Sequence, residues 1–308
     1  MSKKPLTDVA ASIRQRLLNR ASQAGGDPNL IWSRYAVERL LYRLGVSEFS
    51  REFVLKGAAL FAVWSSEPHR PTMDLDLLGH GEDSDARMAD IFRRVCGVES
   101  EGDGLHFDAD SIRVKPIREG LEYQGRRVLL VAMLGRMRIP VQVDIGFGDV
   151  VTPRAEWIEY PTLLDLPAPR IRACTQPTVI AEKFHAMVVL GIANSRMKDF
   201  YDIQELATRF DFEGALLVQA VKATFKRRKT PIPDAMPLAL SETFGRDATK
   251  NTQWTAFVRK SGLDQKTPGL LDTVSTLRQF LLPIMTAAAG TSPVPGHWQA
   301  GGGTWRTS

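Results

Sequence analysis

Apolar and polar residues alternate over residues 138–145, which is the pattern of a strand with one buried face. The apolar positions are Ile139, Val141, Val143 and Ile145, and Arg138, Gln142 and Asp144 lie between them. Because successive side chains of a strand project to opposite faces, Asp144 is expected on the face opposite the valines. A second strand-like stretch, 127–134, comes before Gly135-Arg136, so the two stretches are predicted to form a hairpin.

The rest of the first half of the chain mixes strands with helices. Residues 72–78 read as a strand, and the short apolar segment Phe53-Val54-Leu55 leads into a turn at Gly57. In residues 29–45 the apolar positions recur at helical spacing instead. These elements predict a mixed α/β (α+β) sheet with flanking helices.

The pattern changes near residue 165, after which the elements are predicted to be helical. Thr178–Leu190 and Lys198–Arg209 are two of these helices. We therefore expect an α/β lobe with N-terminal helices over 1–165 and a helical lobe over 166–289. The segment 290–308 is rich in Gly, Pro, Ser and Thr, a composition typical of a disordered tail.

Two carboxylates in the strand 72–78 indicate chemistry. Asp74 and Asp76 are separated by one residue, so both project from the same face. Such an oxygen-rich pair suits Mg²⁺ and the phosphates that this ion accompanies, which points to phosphoryl or nucleotidyl transfer. The alternative is a solvated strand edge, although the apolar Met73, Leu75 and Leu77 favour a strand with one buried face.

Other segments could complete such a site. The Gly57 turn would let the backbone approach a phosphate closely. Asp144 would join the first two carboxylates if its strand lay beside theirs, or it could cap a turn before Gly146 and Gly148. Lys183 lies in an apolar helix, and Asp199 and Asp202 share one face of the next helix. These three residues either form a structural salt bridge with helix capping or contact a nucleotide.

Bulk composition sets limits on the class of protein. The 308 residues are 44% hydrophobic and 24% charged, with a net charge of +5 and a pI of about 9.3, which is compatible with nucleotide or nucleic acid partners. Two cysteines without metal-ligand spacing indicate a reduced, intracellular protein. No signal peptide or membrane-spanning stretch is predicted, so a cytoplasmic location is expected.

Four motifs in this order resemble the AbiEii/AbiGii toxin family of nucleotidyltransferases, relatives of the polymerase β superfamily. The resemblance covers roughly residues 50–210. The motifs are Leu55-Lys56-Gly57-Ala58-Ala59-Leu60, Arg70-Pro71-Thr72-Met73-Asp74-Leu75-Asp76, Ala181-Glu182-Lys183-Phe184-His185-Ala186 and Arg196-Met197-Lys198-Asp199-Phe200-Tyr201-Asp202-Ile203. The resemblance implies the nucleotidyltransferase fold, followed by a helical C-terminal lobe.

The resemblance also implies roles for individual residues. Asp74 and Asp76 would bind Mg²⁺ or Mn²⁺ and the triphosphate of an NTP, with Asp144 as the third carboxylate by position. Lys183 and Asp199 would complete the catalytic set across a cleft, and Asp202 is the alternative to Asp199. The nucleotide would also be bound by Lys56, Gly57, Ala58 and Thr72. Many members have Gly or Ser where this chain has Ala58, so phosphate binding there must use backbone amides.

The implied activity is that of a toxin in a toxin–antitoxin pair. The MenT group, which is similar, adds nucleotides to the 3′ end of tRNA and blocks translation, so a tRNA acceptor and an antitoxin encoded nearby are expected. Candidate RNA phosphate contacts are Arg34, Arg39, Arg43 and the run Lys226-Arg227-Arg228-Lys229. Nucleotidyl transfer to a protein or small molecule, and a non-catalytic nucleotide- or RNA-binding module, remain alternatives.

Overall fold

The computed structural model describes residues 8–23, 27–65, 69–119, 123–263, 267–301 and 303–306, except for the side chains of residues 118, 119, 123 and 124. The chain divides into two compact units. The first comprises residues 1–148 and 156–173, and the second comprises 149–155 and 174–308. Residues 149–155 therefore belong with the second unit, although the sequence places them in the first lobe.

The first unit is built on a mixed sheet. Its described strands are β1 (Phe53–Lys56), β2 (Asp74–Gly79), β3 (Leu105–Glu119), β4 (Tyr123–Leu134), β5 (Met137–Phe147), β6 (Glu156–Glu159) and β7 (Arg170–Ala173). They lie in the order β3-β4-β5-β2-β1-β7-β6. Strand β2 pairs in parallel with β5 and antiparallel with β1. The predicted hairpin is confirmed, since β4 and β5 pair from Leu134 opposite Met137 onward.

Helices of the first unit cover one face of this sheet. They are α1 (Val9–Gln23), α2 (Pro28–Val46) and α4 (Asp85–Cys96), whereas a 3-10 turn at Gly57–Leu60 and the short helix α3 (Phe61–Trp64) follow β1. Phe92 of α4 meets Phe53 of β1 edge to face, with ring centroids 6.1 Å apart. Buried Leu75, Val143 and Ile145 line the same side of the strands. The mixed α/β fold predicted from the sequence is thus confirmed.

Two arginines of α2 proposed as RNA contacts are structural instead. Arg43 is 3% exposed and donates to the Asp103 carboxylate at 2.6 Å and to the Leu105 carbonyl at 3.2 Å. Arg39 is fully buried and donates to the Pro167 carbonyl at 2.8 Å. The prediction of phosphate contacts at these two positions is wrong because both guanidinium groups are buried and already donate to acceptors within the first unit.

The second unit is mainly helical. Its described helices are α5 (Gln176–Leu190), α6 (Met197–Arg209), α7 (Gly214–Arg227), α8 (Glu242–Arg246), α9 (Ala248–Lys260) and α10 (Leu270–Ala289), with 3-10 turns at Gly191–Ala193 and Leu238–Leu240. The predicted boundaries of α5 and α6 differ from these by only a few residues. Within the described residues, no helix is both long and apolar enough to cross a membrane.

The C-terminal tail packs on the second unit, so the prediction of disorder is wrong for its described part. Strands β8 (Phe212–Glu213), β9 (His297–Trp298) and β10 (Trp305–Arg306) form a small antiparallel sheet. Trp298 is 1% exposed and its indole donates to the Ala207 carbonyl at 2.7 Å. The two tryptophans bury enough apolar surface to order a segment whose composition alone predicts disorder. Residues 302, 307 and 308 lie outside the described residues.

We expect Arg43→Gln to destabilise the first unit by about 3–5 kcal/mol, because it leaves the Asp103 carboxylate buried without its partner. Arg34→Gln, an exposed arginine of the same helix, serves as the control and should change the free energy of unfolding by less than about 0.5 kcal/mol. Urea denaturation of both variants measures the difference. Equal losses would contradict a structural role for Arg43.

Candidate functional site

Carboxylates of β2 lie on the sheet face opposite the covering helices. Along the strand, Asp74 is exposed and Asp76 half-buried, whereas Leu75 and Leu77 are buried. The period of two that predicted a shared face for the two aspartates therefore holds. We call this side of the sheet the carboxylate face.

Asp144 lies on the same face, directly beside Asp76. The parallel pairing of β2 with β5 places Asp74 opposite Gln142 and Asp76 opposite Asp144. Residues paired in this way project to the same side of a sheet. The predicted adjacency of Asp144 and Asp76 is confirmed, and Asp144 is a strand residue rather than a turn cap.

An arginine that the sequence interpretation missed holds Asp144. Arg127 of β4 donates to both carboxylate oxygens, from Nε and from an Nη, each at 2.7 Å, and Gln142 donates to one of them at 3.2 Å. A bidentate pair of this kind fixes the orientation of a carboxylate as well as neutralising it. The sequence did contain the signal, because counting back from a two-residue turn at Gly135-Arg136 pairs Arg127 with Asp144.

The Gly57 turn lies against Asp76. Gly57 has φ of +71°, and a β-carbon added to it would overlap the Asp76 carboxylate. Glycine is therefore required both by the backbone conformation and by the space. Ala58 follows in the 3-10 turn and is buried, and the Thr72 hydroxyl donates to the Asp74 carbonyl at 3.3 Å.

These pairings produce a continuous row of charged residues across five strands, which we call the charged row. From β1 to β3 it contains Lys56, Asp76, Asp144, Arg127 and Lys115. Two adjacent carboxylates thus have cations on both sides. This arrangement lowers the electrostatic cost of placing two negative charges on neighbouring strands.

The carboxylate oxygens are the ligand type that Mg²⁺ and Mn²⁺ prefer. Among the described residues, however, no three His, Cys, Asp or Glu side chains are grouped closely enough to hold a metal ion. The three-carboxylate metal site at Asp74, Asp76 and Asp144 therefore stays a prediction.

The second unit contains its own buried charge cluster. Lys183 of α5 donates to Asp199 at 2.6 Å and pairs with Asp202 at 2.8 Å, both on α6. The two carboxylates are fully buried, and the Lys183 side chain is 11% exposed. The predicted structural salt bridge is thus present, and it includes both candidate aspartates rather than one of them.

Arg196 extends this cluster to the surface. Its Nε lies 2.7 Å from the second oxygen of Asp199, and its side chain is 44% exposed. The three-residue spacing of Arg196 and Asp199, next to the start of α6, was the available signal for this pair. In this arrangement Arg196 is exposed and Lys183 is nearly buried, whereas both aspartates are fully buried.

The basic run after α7 is partly structural. Arg228 donates to the Asp149 carboxylate at 3.2 Å and to His185 Nδ1, and His185 Nε2 lies 2.9 Å from the Thr230 hydroxyl. Burial and the adjacent guanidinium lower the pKa of His185 to about 4. Arg228 is therefore part of a side-chain network, while Lys226, Arg227 and Lys229 are exposed.

Comparisons with known proteins give a family match and two distant structural neighbours. The profile of the family described as "Nucleotidyl transferase AbiEii toxin, Type IV TA system" matches residues 39–279. The crystal structure of JHP933 from Helicobacter pylori is 14% identical, with a TM-score of 0.46 over 86% of this chain and 93% of that one. A candidate nucleotidyltransferase from H. pylori is also 14% identical, with a TM-score of 0.45 over 83% and 94%. No curated protein matches the chain.

Gly57→Ala should lower the free energy of unfolding by more than the cost of a positive φ alone, because the new β-carbon displaces Asp76. Gly81→Ala is the matched control, since Gly81 also has a positive φ but open space around it. We expect the free energy of unfolding to fall by about 1 kcal/mol in Gly81→Ala and by at least about 1 kcal/mol more in Gly57→Ala. Similar losses in urea denaturation would show that Gly57 does not press on Asp76.

The stability of the second unit should fall as the pH drops through the range set by His185. The pKa of this residue is about 4 in the folded protein and about 6.5 when unfolded, so the unfolded chain binds more protons between these values. The stabilisation is complete above pH 6.5 and is lost as the pH falls toward 4. His185→Gln should flatten this dependence in urea denaturation between pH 7.5 and 4.5, whereas the exposed-site control His106→Gln should retain it.

Proposed function

We propose a function from the premise that this chain belongs to the AbiEii family of nucleotidyl transferase toxins of type IV toxin–antitoxin systems. In this proposal the protein transfers a nucleoside monophosphate from an NTP to the 3′ end of tRNA and so blocks translation. The observation that carries the proposal is the placement of Asp76 beside Asp144 with the Gly57 turn against Asp76. Family membership makes the chain a nucleotidyltransferase with an NTP substrate and an antitoxin counterpart. The acceptor, the metal and the individual residue roles are our proposals.

Asp74 and Asp76, together with Asp144, would hold the divalent cation. The donors are carboxylates on one face, which is the ligand type that a hard cation prefers, and the absence of a side chain at Gly57 leaves room for the Asp76 carboxylate. Each Asp144 oxygen that accepts from Arg127 keeps a second lone pair for a cation. When bound, Mg²⁺ or Mn²⁺ would neutralise phosphate charge and polarise the α-phosphate. Lys56, which pairs opposite Asp76, adds a positive charge for the triphosphate on the β1 side.

The transfer itself is an in-line displacement at the α-phosphorus. The oxygen of the acceptor hydroxyl forms a bond to this phosphorus, the bond to the bridging α–β oxygen breaks, and pyrophosphate leaves with that oxygen. The hydroxyl proton passes to a carboxylate of the charged row, Asp76 or Asp144. Arg127 keeps Asp144 oriented through two hydrogen bonds, so the position of this carboxylate does not depend on the substrate.

In the second unit, Lys183 and Arg196 are the groups that would contact phosphate. Asp199 and Asp202 are fully buried, so they would act by positioning these cations rather than by touching the nucleotide. This assignment combines the two alternatives for the cluster, a structural salt bridge and a contact with the nucleotide. The salt bridge would hold Lys183 in the position from which it contacts phosphate. Both aspartates would share this positioning role, since each pairs with Lys183.

Three features support tRNA as the acceptor. The chain has a net charge of +5, its motifs are similar to those of the MenT toxins that modify tRNA, and exposed cations extend from the charged row. The antitoxin would be encoded beside the toxin. Transfer to a protein or small molecule, and a non-catalytic binding module, are the outcomes that the following experiment separates.

Asp76→Asn should reduce transfer of label from an α-³²P NTP to tRNA by about 10²–10³-fold, because it removes a charge that binds the cation and nucleotide. Asp90→Asn, an exposed carboxylate on α4, is the control and should retain activity. Lys183→Met should also abolish transfer, and Lys183→Arg should restore part of it. Thermal melts are needed for both, since the cluster is buried.

Each NTP is tested with tRNA, with tRNA whose 3′ end has been oxidised by periodate, and with a cell lysate. Label in intact tRNA alone supports the proposal. Label in lysate protein or in small molecules would assign another acceptor, and the absence of both label and Mg²⁺-dependent nucleotide binding would indicate a non-catalytic module. Unchanged growth inhibition by the Asp76 and Lys183 variants would contradict the assignment of these residues.

A further inference from the structure

The charged row continues past Asp144 into cations on the outer strands of the sheet. Arg127 of β4 pairs with Asp144, Lys115 of β3 pairs opposite Arg127, and Arg113 lies two residues before Lys115 on the same face. We call Arg113, Lys115 and Arg127 the basic strip. Arg113 and Lys115 are exposed.

Folding alone does not account for the basic strip. Like charges directly opposite one another on paired strands are destabilising, and Lys115 faces Arg127 in this way. Arg127 is compensated by Asp144, whereas Lys115 forms no ion pair with any residue that the structure describes. Within the described part of the chain, the Arg113 guanidinium donates only to the nearby carbonyls of Asp110 and Ile112. An anionic ligand would supply the compensation that the protein itself does not.

The order of residues across the sheet indicates which anion this is. Lys56 and Gly57 lie on the β1 side of the carboxylates, and the basic strip lies on the β4–β3 side. In an in-line displacement the leaving and attacking oxygens are on opposite sides of the phosphorus. If the triphosphate lies toward β1, the acceptor must approach from the strip. This step depends on the proposed function.

We propose that the basic strip binds the backbone phosphates of the terminal nucleotides of the acceptor RNA and guides its 3′ end to Asp144. Residues two apart on a strand are about 7 Å apart, and neighbouring strands are about 5 Å apart, so the strip spans more than one phosphate. Its contacts are with the backbone, so it confers affinity without base specificity.

The test uses the full chain carrying Asp76→Asn, which removes turnover, and measures binding of fluorescent tRNA by anisotropy at several salt concentrations. Arg113→Gln/Lys115→Gln should weaken binding by about 10-fold and lower the slope of log K against log salt by about 2. Arg127 is left intact because it holds Asp144. Affinity for a fluorescent NTP with Mg²⁺, measured separately in chains that keep Asp76, should be unchanged by the Arg113→Gln/Lys115→Gln substitutions.

Arg93→Gln/Arg136→Gln is the control, since it removes the same charge from exposed positions on α4 and in the β4–β5 turn. It should weaken tRNA binding by less than about 2-fold. Equal losses in the two double variants would reduce the strip to general electrostatic attraction and overturn the proposal. Weakened NTP binding with intact tRNA binding would do the same by assigning the strip to the triphosphate.

The experiments distinguish an error in the basic-strip proposal from an error in the proposed function. If the wild-type protein labels tRNA but the strip variant binds tRNA as the control does, the strip proposal is wrong and the function stands. If tRNA is not labelled but the strip variant loses binding, the strip is an RNA-binding surface and the proposed transfer to tRNA is wrong.

Discussion

The parallel pairing of β2 with β5 is the constraint on which the rest of the candidate site depends. It brings Asp76 and Asp144 from distant parts of the chain onto adjacent strands. A slip of one residue in this pairing would turn Asp144 toward the helices and expose Val143. Burying an unpaired carboxylate costs several kcal/mol, so the buried valines and isoleucines of β5 enforce the register that places Asp144 beside Asp76.

The sequence was sufficient for β2, β5, the β4–β5 hairpin and the family, whereas the short strands β6 and β7 were not predicted. Period-two alternation identified the faces of β2 and β5, and the four motifs identified a family whose profile matches residues 39–279. Alternation could not give the partner of β2, because it fixes which face a residue occupies but not which strand lies beside it. The register of the β4–β5 hairpin could have been read from its two-residue turn, and with it the contact between Arg127 and Asp144.

The wrong predictions share a physical cause, which is that local composition does not report distant partners. Arg39 and Arg43 lie between apolar helical positions as surface arginines do, yet their acceptors come from loops far along the chain. The tail has the composition of a disordered segment, but Trp298 inserts beside Phe280 with ring centroids 4.9 Å apart. Burial of one or two large aromatic side chains is therefore enough to order a segment whose overall composition predicts disorder.

The hydrogen bonds from Arg127 to Asp144 have a consequence for the pairing of β2 with β5. Two neighbouring carboxylates repel each other by an energy on the order of a few kcal/mol at an intermediate dielectric constant. Arg127, on the strand adjoining β5, serves as a counter-ion for Asp144. The repulsion between the two carboxylates is therefore offset by a group of the chain itself, and the pairing of β2 with β5 does not depend on a bound ion for this purpose.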